Sequence, residues 1–154
     1  MKKLVPLFVV LALFGCKKQG VDESLNDKLV KSAAMGRIDE VKQYLPSYFH
    51  KGGDVKYRND YGRTALYMAV AKNHVEIVEL LLENGSDANT VDDYGLSAIM
   101  RAADNGNMPI AKMLVAKGAD VNLKTPEGKT ALTFATDMKN DEMVKFLKDS
   151  GAKE

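Results

Sequence analysis

A six-residue pattern returns three times along this chain at a fixed spacing of 33 residues. It occupies residues 61–66, 94–99 and 127–132, and in each copy a glycine stands second and an alanine fifth. A second landmark, a glycine followed closely by an Asp-Xaa-Asn sequence, keeps the same spacing at Gly85 and Gly118. Because two separate landmarks share one period, the pattern predicts a structural repeat.

Within one period the apolar residues recur at spacings of three and four, which is typical of one face of an α-helix. Two stretches show this spacing: Leu66, Ala69 and Val70, then Ile77, Val78, Leu81 and Leu82. The break between them falls at Asn73, and at Gly106 in the next period, residues that tolerate the left-handed backbone of a helix end. Pro109 stands just inside the following segment, where a missing N–H costs nothing. Gly85 and Gly118 end the second helix, and the polar run after each predicts a projecting turn.

This pattern resembles the ankyrin repeat, whose sequence combines Asp, Gly, Thr-Pro-Leu-His, Ala-Ala, Gly, a Val/Leu-rich helix and Gly-Ala-Asp-Val-Asn. The resemblance covers roughly residues 23–153. It implies an all-α fold, an ankyrin-repeat solenoid of about four helix-turn-helix repeats with projecting β-turn fingers. We place the domain at 23–154 and the repeats at approximately 23–58, 59–91, 92–124 and 125–154.

One departure from the family pattern concerns its histidine. The corresponding residues here are Tyr67, Met100 and Thr133. The imidazole hydrogen bonds that the resemblance would imply are therefore absent, and we expect a stack less stable than an idealised array.

The first sixteen residues are organised like a secretion signal. Two lysines, Lys2 and Lys3, precede an apolar run at 4–14 that only Pro6 interrupts. A run of 11 residues is too short to span a hydrocarbon core, which needs about 20 residues, so we expect cleavage instead of a transmembrane helix.

The tetrapeptide Leu13-Phe14-Gly15-Cys16 resembles the lipobox of bacterial lipoproteins. That resemblance implies that the signal peptide at 1–15 is removed, that Cys16 is lipidated, and that 16–22 form a short tether. Cys16 is the only cysteine, and a lone cysteine in an exported protein needs a use other than an internal disulfide. A plain cleaved signal and an uncleaved anchor are the alternatives. Lys17 stands where an Asp would hold a lipoprotein in the inner membrane of enteric-type bacteria, so outer-membrane placement is favoured.

The first repeat is altered where its second helix would end. Its framework aligns with the next repeat at an offset of 37 residues before this point and 33 after it, so four residues have been inserted around 46–49. A capping repeat with a lengthened loop accounts for this, and an aromatic hook formed by Tyr48 and Phe49 is the alternative. The last repeat has a charged outer face, which suits a C-terminal cap.

The sequence contains no motif typical of catalysis, metal binding or nucleic-acid binding. His50 and His74 are the only histidines, and neither has Cys, Asp or Glu at metal-ligand spacing. The serines form no Gly-Xaa-Ser-Xaa-Gly elbow, and no phosphate loop occurs. With a net charge of +1, falling to about −1 after cleavage, and no basic stripe, nucleic acid is disfavoured. We therefore expect no enzyme activity and no cofactor.

The methionines within the repeats are predicted to fill helical core or seam positions instead of binding copper. They are Met35, Met68, Met100, Met108, Met113, Met138 and Met143.

A partner is expected to bind at positions that vary between repeats while the framework stays fixed. These lie beside the turn glycines and at the end of the first helix, and both project to one concave side in proteins that resemble this one. Tyr61 and Tyr94 are the anchor candidates, since Tyr and Arg often dominate binding energy, although their rings could instead pack on the neighbouring turn. The full set is Asp60, Tyr61, Arg63, Lys72, Asp93, Tyr94, Leu96, Asp104, Asn105, Glu127, Lys129 and Asp137.

Together these patterns favour a monomeric, lipid-anchored protein-protein interaction module of the bacterial cell envelope that faces the periplasm and binds another envelope protein. The second hypothesis is a periplasmic inhibitor or immunity protein that blocks a toxin or an enzyme. A sequence alone does not separate these two, because both require only a binding surface.

Overall fold

The computed structural model describes residues 24–46 and 52–153. The predicted signal and tether, with Cys16, and the inserted residues Tyr48 and Phe49 lie outside this part. The described residues form eight α-helices and no strand, apart from one isolated antiparallel bridge between Val91 and Ser97. The helices are α1 (Leu25–Met35), α2 (Ile38–Tyr44), α3 (Ala65–Ala71), α4 (Val75–Glu83), α5 (Ala98–Asp104), α6 (Met108–Ala116), α7 (Ala131–Asp137) and α8 (Asp141–Asp149).

Side-chain caps begin the first helix of each pair. The Thr64 hydroxyl accepts a hydrogen bond from the backbone N–H of Tyr67 at 3.1 Å, and Ser97 and Thr130 do the same for the N–H groups three residues on. Such a cap satisfies one of the backbone donors that the start of a helix leaves without an intrahelical partner.

Left-handed residues separate the two helices of each pair, as the sequence predicts. Asn73 has φ 61° and Gly106 has φ 67°, and Gly36 and Lys139 hold the corresponding places in the first and last pairs. Pro109 lies in the first turn of α6, where its ring costs no hydrogen bond. The chain therefore reverses within a few residues and the paired helices lie against each other.

The helix pairs stack in one direction. The first helices α1, α3, α5 and α7 pack in a row, and α2, α4 and α6 pack in a second row. Leu81 and Leu114 lie in the second row and have no exposed surface, which confirms the predicted burial of both side chains.

Asparagine side chains form hydrogen bonds between the loops that follow successive second helices. The Asn89 side chain accepts from the N–H of Asp120 at 2.7 Å and donates to the carbonyl of Gly118 at 3.0 Å. Asn122 repeats both bonds one period later. Each amide therefore joins its own loop to the next, which keeps successive repeats in register.

In two repeats the residue at the family's histidine position still accepts a backbone hydrogen bond. The Met100 sulfur accepts from the N–H of Ser97 at 3.5 Å, and the Thr133 hydroxyl accepts from the N–H of Thr130 at 3.2 Å. The imidazoles are absent as predicted, but a thioether and a hydroxyl accept hydrogen bonds in two of the three places.

The prediction that all repeat methionines occupy core or seam positions is wrong for two of them. Met35 and Met138 are 51% and 57% exposed, because they stand where the first helix of a pair ends and its last side chain projects to solvent. Met100 and Met143 are buried, and Met68, Met108 and Met113 pack against the core.

Replacing Leu114 with alanine should lower the free energy of unfolding by about 2 to 5 kcal/mol, because a fully buried side chain is lost between repeats. Urea unfolding followed by circular dichroism measures this. Leu25→Ala is the matched control, since Leu25 is 46% exposed and should change stability little. Equal stability of the Leu114 variant and the parent would contradict the assigned packing.

Candidate functional site

Three turns of the same construction connect successive repeats, at residues 59–63, 92–96 and 125–129; we call them the fingers. In the first finger the side-chain oxygen of Asn59 accepts from the backbone N–H groups of Tyr61 at 3.1 Å and Arg63 at 3.0 Å. Asp92 accepts two bonds in the second finger, and the Thr125 hydroxyl accepts one in the third. These side chains fix the backbone of each finger.

Neighbouring fingers are also bonded to each other. The backbone N–H of Asp93 donates to the carbonyl of Tyr61 at 3.1 Å, and the Arg58 guanidinium reaches the carbonyl of Val91 at 2.9 Å and the carboxylate of Asp93 at 3.5 Å. The first two fingers thus form one continuous edge.

The tips of these two fingers present aromatic rings to solvent. Tyr61 is 58% exposed and Tyr94 is 61% exposed. The Tyr61 ring also contacts its own finger, since the Arg63 guanidinium carbon lies 5.5 Å from the ring centroid. The structure therefore shows both rings accessible, and binding through them stays a prediction.

A cluster of two arginines and a buried tyrosine lies beside the fingers. The guanidinium carbons of Arg63 and Arg101 are 5.7 Å and 5.8 Å from the centroid of the Tyr67 ring, within reach of a cation–π interaction. Two nitrogens of Arg101 donate to the Tyr67 hydroxyl at 2.9 Å and 3.2 Å. Tyr67 is on α3 and Arg101 is on α5, so the cluster exists only when these two repeats are stacked.

Each arginine of this cluster also forms an ion pair with a carboxylate. Asp92, whose side chain is fully buried, pairs with the Arg63 Nε at 3.4 Å, and Asp104 pairs with an Arg101 terminal nitrogen at 3.2 Å. Burial raises the pKa of Tyr67, as does the carboxylate of Asp92, against the opposing effect of Arg101. Burial acts against the charge of Arg101, but its hydrogen bond with Tyr67 and the nearby Asp104 leave its pKa raised. Tyr67 is therefore neutral and Arg101 charged at physiological pH.

The cluster lines a depression of about 220 Å³ between α3 and α5. Three of the predicted binding residues, Arg63, Lys72 and Asn105, lie in it together. Sequence reasoning missed Tyr67 and Arg101. The sequence does contain a feature that marks Arg101. The equivalent positions one repeat before and after hold Met68 and Phe134, so a cation at this position breaks the apolar pattern.

Asn105 and Leu96 also have structural uses. The Asn105 side-chain nitrogen donates to the carbonyl of Val70 at 3.2 Å and to the side chain of Asn73 at 3.2 Å, which satisfies acceptors at the end of α3. Leu96 is half-buried against the core. Both residues help to hold the repeats together, whatever they contribute to a partner.

The candidates of the last repeat lie close together. Lys129 pairs with Asp137 at 3.3 Å and lies over the Phe134 ring at 5.7 Å. Glu127 is exposed in the third finger, and a hydrogen bond with Thr125 lowers its pKa. Asp137 also lines a groove of about 590 Å³ at the C-terminal end of the stack, together with Lys124, Lys139, Lys148 and Lys153.

His74 has a structural position in this molecule. Its Nε2 lies 3.2 Å from the carbonyl oxygen of Ala34, and a side-chain carbon added at Gly36 would lie 2.6 Å from its ring. The imidazole therefore packs between the first two helix pairs. Among residues 24–46 and 52–153 no group of His, Cys, Asp or Glu is placed to hold a metal ion. None of the helices in that part is long and apolar enough to cross a membrane.

Stacked helix pairs with projecting turns define the class of this molecule, a helical repeat solenoid. Two family models identify the repeat. One, described as ankyrin repeats in many copies, matches residues 50–99, and the other, described as ankyrin repeats in three copies, matches residues 84–154. Ankyrin repeats are thus detected over more than half of the chain, and the fold is an ankyrin-repeat solenoid.

Replacing Tyr67 with phenylalanine keeps the ring but removes the acceptor for Arg101. We expect the loss of these hydrogen bonds to lower the free energy of unfolding by about 0.5 to 1.5 kcal/mol. The Arg101 donors that lose their acceptor are partly buried, which should increase this loss. Urea unfolding measures the change. The control is Tyr94→Phe, whose hydroxyl makes no hydrogen bond within the described residues and whose loss should leave stability unchanged. Equal effects of the two changes would mean that the Arg101 bond does not stabilise the stack.

Proposed function

We propose that this protein is a lipid-anchored binding module of the bacterial cell envelope, which holds another protein through its fingers and the Tyr67 depression. Ankyrin repeats suggest protein-protein interaction, and proteins built from them are typically interaction modules without enzymatic activity. The observation that carries the proposal is the pair of exposed tyrosines, Tyr61 and Tyr94, on two bonded fingers.

The fingers are suited to binding because their backbones are already ordered. The side chains of Asn59 and Asp92 hold them in place before any partner arrives. A partner that covers the two tyrosines therefore orders few additional groups, and less of the interaction energy is lost to entropy. Tyrosine rings also supply a large contact area with few rotatable bonds.

The membrane part of the proposal comes from the N-terminal sequence. The lipobox-like sequence ending at Cys16 supports acylation of that cysteine. A tether from 16 to 22 at about 3.4 Å per residue would keep the repeats within roughly 20 Å of the lipid. Lys17 supports retention on the outer membrane, so the partner is expected in the periplasm or on the same membrane surface.

The double change Tyr61→Ala and Tyr94→Ala should weaken partner capture by at least about 2 kcal/mol, roughly thirtyfold in Kd, because two aromatic contacts are lost. Crosslinking in intact cells, followed by mass spectrometry, identifies the partner captured by the parent chain, and titration of that purified partner measures the affinity. The helical circular-dichroism signal and the membrane anchoring should be unchanged.

The matched control is Leu25→Ala combined with Val75→Ala, which removes two exposed apolar side chains outside the fingers. Capture that survives the finger change but is lost on changing Tyr48 and Phe49 would place the interface on the inserted loop of the first repeat. A captured partner that is an enzyme or toxin, and that loses activity on binding, would make this module an inhibitor.

Cys16→Ala should abolish labelling by a radioactive or clickable fatty acid and release the protein from membranes or stall its processing. Fractionation and labelling of cells that express each form measure both effects. Cys16→Ser is a second variant, since a hydroxyl resembles the thiol in size but does not receive this lipid. Unchanged membrane association together with no label on the parent chain would contradict the proposed anchor.

A further inference from the structure

The residues that line the depression between α3 and α5 carry an excess of positive charge. It contains three cations, Arg63, Lys72 and Arg101, and none of its lining residues is acidic. Asp92 and Asp104, which lie beside it, each pair with one arginine. Two carboxylates against three cations leave one positive charge, and Lys72 carries it, since Lys72 is exposed and forms no ion pair among the described residues.

The two arginines are held in position before any partner binds. Tyr67 lies within cation–π distance of both guanidinium groups and accepts two hydrogen bonds from Arg101. Asp92 binds Arg63 through its Nε, so the two terminal nitrogens of Arg63 make no hydrogen bond with other described residues. A planar guanidinium fixed in this way presents donors that match the two oxygens of a carboxylate.

The size of the depression limits what it accepts. Its volume of about 220 Å³ lies below the roughly 300 to 1,000 Å³ of typical small-molecule sites, so it fits one or two side chains of a protein better than a cofactor. Arg63 also contacts the exposed ring of Tyr61, so the depression continues directly into the first finger.

We propose that this depression binds acidic side chains of the partner, which presents a segment with at least two Asp or Glu residues near an apolar residue that covers Tyr61. The inference rests on the proposed function and names the chemistry of the partner. Charge complementarity selects this occupant, because the depression offers guanidinium and ammonium donors with one positive charge uncompensated.

The test uses the purified full-length chain and a fluorescein-labelled hexaglutamate peptide, with hexaglutamine of the same length as the neutral match. Fluorescence anisotropy should show tighter binding of hexaglutamate. Lys72→Glu should weaken hexaglutamate binding by roughly tenfold and leave hexaglutamine binding unchanged, because it reverses the one uncompensated charge. Arg63→Gln should weaken hexaglutamate binding as well, by several-fold, since it removes the free guanidinium nitrogens.

Two matched variants carry the same charge reversal elsewhere. Lys112 lies on the exposed side of α6, and Lys124 lies in the C-terminal groove. Neither Lys112→Glu nor Lys124→Glu should weaken hexaglutamate binding by more than about twofold, because these charges are distant and screened. A loss with Lys112→Glu equal to that with Lys72→Glu would show general charge attraction and overturn the proposal. A loss confined to Lys124→Glu would place the acidic segment in the C-terminal groove and overturn it equally.

The proposed function has a separate readout. If capture of the cellular partner falls with the Tyr61 and Tyr94 changes but is unaffected by Lys72→Glu and Arg63→Gln, this inference is wrong and the binding module stands. If capture is unaffected by all four changes, the proposed interface fails too. Circular dichroism of the Lys72 variant should match the parent, since Lys72 is exposed. Arg63→Gln also removes the ion pair with buried Asp92, so urea unfolding must show this variant folded under the binding conditions before its affinity is compared.

Discussion

Packing between consecutive repeats is the interaction on which the rest of this structure depends. Helices of seven to eleven residues are marginal in water by themselves. A single helix pair also has too little apolar surface to offset its lost chain entropy. Fully buried side chains such as Leu81 and Leu114 supply the missing burial across the boundaries between repeats. Stability is therefore a property of the stack and not of any one repeat.

The candidate binding surface is a product of the same stacking. The Tyr67 hydroxyl and the Arg101 guanidinium come from neighbouring repeats, 34 residues apart, and meet only because α3 packs on α5. The finger edge likewise requires the bond from Asp93 to the carbonyl of Tyr61. A change that loosens the seam between these repeats would therefore disturb the surface without touching any of its side chains.

The cluster around Tyr67 places polar groups where apolar ones would pack more simply. Asp92 is buried and both of its oxygens accept hydrogen bonds, one within the second finger and the other from Arg63. Buried charges of this kind add little net stability but fix geometry, because an arrangement that broke the pairing would leave a charge without a partner. The two arginines are held at the surface by this geometry.

The repeat itself could be predicted from the sequence, because a period of 33 residues, helical spacing and left-handed residues at helix ends are local properties of the chain. Asn73, Gly106, Pro109 and the buried leucines all lie where this pattern places them. The exposure of Met35 and Met138, the contact between Tyr67 and Arg101, and the structural use of Asn105 could not be obtained in this way. Each depends on which side chain of the next repeat lies opposite, and that is decided by the tertiary packing of one repeat on another.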